Sequence, residues 1–418
     1  MTDTAPSRED PRARIAAGFA GRRGWQLLVA GVTVTLMVTL PFYALSLRDL
    51  SLGPETAKEV DFIVFWGAAR LALADDPVAA LDPAVLAGAQ GIAPTKWLPW
   101  VYPPGFLAFV TPLGLLPFWA AWPLFAFGSL LAFALALRPI SGGVRPFLLG
   151  FALCPAVLPA LLLGQTTLLW LAGLVTALVA LGRGREVLAG VLIGLLTMKP
   201  QLGLLIPVAL VAGGHWRAFW AASATAVAVA VLPTLWTGPD YWTELLGAIE
   251  AHRDKLVASV AGEAADLAVG PDKNRIMLSP FSLLMGVGVP RATAMAAQWA
   301  ITALAALAVW RAWRRPDTDL RAGTLLAAIA VATPYFWYYE ALVLVVAVMF
   351  LWRGGVLRPG VPAGLLVVLV CFTPGAMMVV QLFLPEISAP FREVSTPVAL
   401  VLFALAVLRA GPSVAPAR

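Results

Sequence analysis

The sequence predicts an all-α, polytopic membrane protein, a bundle of about 10–13 transmembrane helices. Three observations predict it. Of 418 residues, 60% are hydrophobic and only 12% charged, about half the ~25% charged content of a soluble domain; the mean hydropathy is +0.85. Apolar runs such as Trp25 to Leu47 and Val361 to Leu384 exceed the roughly 18 residues that mark a spanning helix. These runs are continuously apolar rather than alternating. Backbone in hydrocarbon must satisfy its own hydrogen bonds, so they are helices and not barrel strands.

Taken in order, residues 1–24 are polar and rich in Ala, Arg and Pro, and are expected to be a disordered cytoplasmic N-terminus. Arg8, Arg12, Arg14, Arg22 and Arg23 precede the first apolar run. That run is too long for a signal-peptide core and reads as an uncleaved anchor. Residues 25–410 are expected to form one membrane domain, with 411–418 a cytoplasmic tail. Segment 48–100 carries four basic residues against seven acidic ones, a net of −3. Segment 237–279 likewise carries four against seven. Both are expected as outer loops. Arg311, Arg314, Arg315 and Arg321 against Asp317 and Asp319 place 311–321 inside, as do Arg353 and Arg358 for the next turn. The turn from Thr333 to Glu340 then falls outside. In 101–186 the segments are short and interrupted by Pro112, Pro117, Pro123, Pro155 and Pro159, which suits half-helices or re-entrant turns. Trp97, Trp100, Trp216, Trp236, Trp242, Trp310 and Trp352 lie at segment ends, where amphipathic rings favour the membrane interface.

Several function classes are excluded. Cys154 and Cys371 lie in apolar segments and His215 and His252 are the only histidines, so there is neither a disulfide framework nor a Cys/His metal spacing. No bound cofactor is expected, and the residues mark no metal site and leave a metal requirement open. The net charge of +6 sits beside hydrophobic segments, where it meets membrane lipid rather than nucleic acid.

Four places combine polar chemistry with apolar surroundings. Asp61 opens a run in which Phe62, Phe65, Trp66, Ala69 and Leu73 recur at helical spacing, an amphipathic helix in the first outer loop. Asp61 is either a helix cap or a general base at the membrane surface. Arg70, over two turns on, either meets a lipid phosphate or snorkels. The second is Trp100-Val101-Tyr102-Pro103-Pro104-Gly105, a helix-start device in which Tyr102 is a candidate for a sugar site. The third is Lys199-Pro200-Gln201 between two apolar segments. A cation at the bilayer centre costs about 2.5–3.5 kcal/mol, so Lys199 either snorkels or binds phosphate. Gly164-Gln165 is a similar polar break. The fourth is Thr333-Pro334-Tyr335-Phe336-Trp337-Tyr338-Tyr339-Glu340, where Glu340 either caps the following helix or lines a cavity and Tyr339 can stack on a sugar. His252, in the second outer loop, is more simply a solvated residue than a catalyst. Asp317-Thr318-Asp319 looks like the Asp-x-Asp of nucleotide-sugar enzymes but sits in a short basic turn with no βαβ unit. It reads as a solvated turn. With no nucleotide-binding motif, an activated sugar would arrive on a lipid.

The ordered set Asp61-Phe62, Trp66, Ala69-Arg70, Tyr102-Pro103-Pro104, Gly164-Gln165, Arg183-Gly184-Arg185, Ala189-Gly190, Lys199-Pro200-Gln201 and Thr333-Pro334-Tyr335 resembles glycosyltransferase family 87. These are the polyprenyl-phosphate-mannose-dependent α-mannosyltransferases and their bacterial relatives, and the likeness covers roughly residues 60–345. The resemblance implies a GT-C fold, an active site on the outer face of the plasma membrane and a polyprenyl-phosphate sugar as donor. It implies inverting transfer of a hexose to a lipid or glycan acceptor, with Asp61 removing the acceptor proton. Lys199 or Arg70 would stabilise the leaving phosphate, and Gln201 would be a further substrate contact. Where the better-known members carry histidines, this chain has Tyr338, Tyr339 and Glu340. The competing expectations are a transporter or flippase of lipid-linked sugars, marked by paired broken helices and charges at mid-membrane, and a glycan polymerase or ligase of the same topology.

Overall fold

The computed structural model describes residues 60–91, 99–141, 153–260, 276–358, 360–384 and 391–409, with backbone alone at 256–260 and 381–383. Of the first apolar run it describes Thr33, Leu36, Met37, Leu40, Pro41 and Ala44, all helical and exposed. The two expected tails, loop residues 48–59, 92–98 and 261–275, and Trp97 lie outside the described residues.

Sixteen helices and several 3-10 turns, with no strand, make up the described residues. In chain order they are α1 (Phe62–Leu73), α2 (Pro83–Gln90), α3 (Pro104–Val110), α4 (Phe118–Leu137), α5 (Leu158–Leu163), α6 (Thr167–Gly182), α7 (Glu186–Leu195) and α8 (Ile206–Ala212). Then come α9 (Trp216–Thr237), α10 (Asp240–Val260), α11 (Pro280–Gly286), α12 (Arg291–Trp313), α13 (Thr318–Ala332), α14 (Leu342–Arg353), α15 (Val361–Phe383) and α16 (Phe391–Arg409). Five of them, α4, α9, α12, α15 and α16, are long and apolar enough to cross a membrane. A sixth candidate span is the pair α5–α6, bent by 119° at its break. The chain is a multi-pass membrane protein.

Local chemistry sets the helix starts. Asp82 caps α2 by accepting from Ala84 N at 2.7 Å and Val85 N at 3.1 Å, with Pro83 at the first helical position, where its missing N–H costs nothing. Pro104 and Pro280 do the same for α3 and α11. Pro123, expected to interrupt, is instead carried inside α4.

The centre of the bundle is the hairpin α13–α14. From Ala322 to Ala332 and from Leu342 to Leu351 every residue is buried, the pattern of helices enclosed on all sides. The closest helix pairing is α7 on α9. A Cβ added at Gly190 would sit 2.6 Å from Ala221 Cβ, and one at Gly194 2.5 Å from Thr225 Cβ. Two small residues four apart allow this backbone approach, the packing device that serves where hydrophobicity cannot drive helices together.

One end of the bundle is arginine-rich. Arg353, at the end of α14, reaches both Asp319 oxygens at 3.1 Å and donates to Ile140 O at 2.6 Å. Trp313 Nε1 donates to Arg321 O at 3.0 Å, and His215 meets both Trp313 and Glu186. Arg315 reaches Arg409 O, and Pro139 lines one groove with Arg183 and Arg185. The helix ends gathered here, at 138, 183–186, 217, 311–321, 353–358 and 409, carry eleven arginines against Glu186, Asp317 and Asp319.

From that end three segments run toward the opposite one and break. α7 and its 3-10 extension stop at Lys199, whose φ of −130° precedes Pro200, and α8 returns. α13 stops at Thr333 and α14 returns from Ala341. α6, traced backwards, stops at Thr167. Each arm has 10 to 16 residues, about 15–24 Å of helix, less than a ~30 Å hydrocarbon core. The breaks therefore come together short of a full span from the arginine-rich end. Irregular backbone in hydrocarbon is tolerated only inside protein or beside a cavity.

Candidate active site

Asp61 stands in the N-cap position of α1 but makes no capping hydrogen bond. Its Oδ2 instead accepts from Gln165 Nε2 at 2.6 Å. The cap alternative is thereby set aside for a tertiary contact spanning 104 residues. The helix behind it is held firmly. Eight of the twelve residues of α1 are buried, including Ile63, Val64, Gly67 and Ala68 outside the expected apolar stripe. Phe62 and Phe65 meet the rings of Phe125, Phe106 and Tyr102 at 5.1 to 5.4 Å.

Gln165 lies in the break between α5 and α6. Gly164 makes that break with φ +66°, and a Cβ there would come within 2.7 Å of Phe62 Cβ. Glycine answers both demands, the left-handed turn and the close approach to α1. Gln165 N then donates to Ala160 O at 2.9 Å, so the side chain leaves a fixed backbone.

Lys199 Nζ is 3.4 Å from Gln165 Oε1 and 3.0 Å from Glu340 Oε1, and stands 4.8 Å over the ring of Tyr339. Lys199 is 2% exposed and Glu340 0%. Snorkelling is ruled out by this burial. The lysine charge is taken by Glu340, the arrangement expected of a buried charge that must be paired. Glu340 takes a cap role and an ion pair together. Its Oε2 accepts from Trp337 N at 2.9 Å, capping the 3-10 turn Tyr338–Ala341, while Oε1 faces Lys199.

Tyr102 completes the cluster. Its hydroxyl pKa is raised by burial and by the negative charges of Asp61 and Glu340, so it remains a protonated donor. Its backbone is tied down by residues the sequence did not reveal. Trp100 Nε1 donates to Tyr241 OH at 2.6 Å, and Tyr241 OH donates to Tyr102 O at 3.0 Å. Trp100 is 1% exposed and Tyr241 0%, so Trp100 is a buried anchor and not an interface ring. α10, in the second polar segment, supplies Tyr241. Only a tyrosine one residue into an acidic helix start hinted at this. The hydroxyls of Thr166 and Thr167, also unforeseen, are buried beside Gln165 with no hydrogen-bond partner among the described residues.

Three candidates stay out of the buried cluster. Arg70 is exposed and lies 4.8 Å over the ring of Trp66. Gln201 is exposed on the 3-10 turn after Pro200. His252 is half-buried on α10, its pKa lowered to about 4 by burial and then by Lys255. Asp317 and Asp319 are structural. Asp317 caps α13 through Leu320 N at 2.9 Å, and Asp319 pairs with Arg353. Among the described residues no group of three or more His, Cys, Asp or Glu is placed to hold a metal.

Two carboxylates, an ammonium, an amide and two tyrosines are thus gathered close to the helix breaks. The model of glycosyltransferase family 87 matches residues 100–334. The chain belongs to glycosyltransferase family 87. It is a membrane glycosyltransferase, which removes the transporter reading despite the broken helices. The family match takes in Tyr102, Gln165, Lys199, Gln201 and His252 and stops short of Asp61, Arg70, Tyr339 and Glu340. The structure joins the two sets, since Gln165 and Lys199 lie inside the match and bind Asp61 and Glu340 from outside it. No curated protein and no solved structure matches the chain.

Proposed function

We propose that this family 87 member transfers a hexose from a polyprenyl-phosphate sugar to a lipid or glycan acceptor, with inversion, at the outer face of the plasma membrane. The observation that carries the reading is the Asp61 carboxylate held at 2.6 Å by Gln165. It sits in a polar cluster at the end of the bundle away from the arginines. Arginine-rich ends favour the cytoplasmic side, which supports the reading of an outer-side cluster.

Chemically, Asp61 takes the proton of the acceptor hydroxyl as that oxygen bonds to the anomeric carbon. The bond from that carbon to the donor's phosphate oxygen breaks, and polyprenyl phosphate leaves with the electron pair. The Tyr102 hydroxyl donates to a sugar or phosphate oxygen, and the rings of Trp337, Tyr338 and Tyr339, mutually 5.4 to 6.2 Å apart, offer faces for a sugar. Lys199 contributes through Glu340 and Gln165 and not as the phosphate's own counter-ion.

The test is reconstitution of the purified protein into liposomes with radiolabelled polyprenyl-phosphate mannose and a membrane lipid extract. Transfer should occur, should fall to background in Asp61→Ala, and should give single additions. A ladder of products would favour a polymerase, and undiminished transfer by Asp61→Ala would sink the assignment of the base.

A further inference from the structure

We infer that Gln165 is a positioning residue for Asp61, its amide locked into one orientation by the buried Lys199–Glu340 pair. The inference rests on the reading of Asp61 as the base.

A glutamine amide has an oxygen that only accepts and a nitrogen that only donates, and an ammonium only donates. Lys199 Nζ, 3.4 Å from Oε1, therefore fixes which end of the amide faces it. The nitrogen is turned to Asp61, 2.6 Å away. A flipped amide would set N–H against ammonium and oxygen against carboxylate. Both contacts are repulsive, and Gln165 is only 4% exposed, so neither is relieved by water. The lock extends further back. Lys199 is held by Glu340 at 3.0 Å, and Glu340 by the Trp337 N–H at 2.9 Å. One sequence of donors and acceptors thus runs from the 3-10 turn before α14, through the α7–α8 break and the α5–α6 break, to the start of α1.

The placement has a chemical consequence. A donated N–H favours the ionised carboxylate that a base must be. Yet the donor is a neutral amide, and the ammonium sits one residue further back. A lysine paired directly with Asp61 would hold the carboxylate charged but weaken it as a proton acceptor. The interposed amide orients Asp61 through a neutral N–H.

The test compares wild type, Gln165→Glu, Gln165→Leu and Asp61→Ala in the reconstituted transfer assay across pH. Infrared difference spectra of the solubilised protein follow the Asp61 carboxyl band, identified by its loss in Asp61→Ala. Gln165→Glu still accepts from Lys199 but opposes Asp61 with like charge. The acid limb of kcat and the Asp61 band should both move up by a pH unit or more. Gln165→Leu should lower kcat by about 100-fold with the donor KM little changed. A merely structural role would lower yield and thermal stability and leave the acid limb in place. An unchanged acid limb and band in Gln165→Glu, with Asp61→Ala inactive, overturns the positioning role alone. Full transfer by Asp61→Ala overturns the base and the positioning role together. The infrared reading needs no substrate, so it decides the coupling whichever donor the protein accepts.

Discussion

The ammonium of Lys199 lies 3.0 Å from the carboxylate of Glu340, with both side chains sealed from solvent. The two residues are 141 positions apart, each at the tip of a broken helical hairpin. The pair joins those hairpins inside the bundle and carries no net charge, so neither partner can leave without stranding the other. Lys199→Met should destabilise by about 3–5 kcal/mol, the cost of a buried charge left alone. Lys199→Met with Glu340→Gln should recover most of that loss. Thermal unfolding in detergent checks both, and a double variant no better than the single would contradict the pairing argument.

Gly164→Ala should damage the site without touching a reacting group. An L-residue at φ +66° costs roughly 1–2 kcal/mol, and the added methyl presses on Phe62. The measured result should be a lower melting temperature with a larger fractional loss of transfer, because Gln165 and α1 are displaced together. A variant with wild-type kcat would show that this turn does not position the cluster.

Tyr241→Phe removes the hydroxyl between Trp100 Nε1 and Tyr102 O. The orphaned indole donor should cost about 1–3 kcal/mol. Tyr102, no longer tied to α10, should bind donor less tightly, raising KM more than it lowers kcat. Kinetics against donor concentration, beside the unfolding curve, separate the two effects.

His252 should act on acid stability and leave the chemistry alone. Its folded pKa, lowered to about 4, lies below the ordinary value near 6.5. Between those values the unfolded chain binds the extra proton. Stability is then fully present above about pH 6.5 and falls as pH drops toward 4. His252→Gln should flatten that slope while transfer at neutral pH stays as in wild type. An identical acid slope would show that the imidazole is not what titrates.

Asp317 and Asp319 provide a negative control for nucleotide-sugar chemistry. Asp317→Asn and Asp319→Asn should lower thermal stability, through the α13 cap and the Arg353 bridge, and leave the donor KM unchanged. A selective loss of donor affinity would return the Asp-x-Asp reading.

Much of the site was legible in the chain because charge in an apolar setting is costly and therefore conspicuous. Gln165 and Lys199 interrupt apolar stretches and Asp61 and Glu340 stand where such stretches begin, and Pro200 and Gly164 announce the breaks that carry two of them. Arg70, Gln201 and His252 carry the same kind of signal yet lie outside the buried cluster, because side-chain direction decides which groups meet and the sequence does not carry it. Trp100 was misread for a related reason. A tryptophan at a segment end looks the same whether it meets lipid or, as here, a tyrosine from 141 residues on.

The sequence by itself determined that this is a helical membrane protein, where its helices break and which polar residues had to find partners. Those follow from the cost of exposing backbone or charge to hydrocarbon, which is paid locally and so is written locally. Only the tertiary structure decided who the partners are. It paired the charge of Lys199 with Glu340 and made Asp61 the acceptor of the Gln165 amide. The pairing energy of a buried donor and acceptor depends on distance in space, which residue spacing along the chain does not encode.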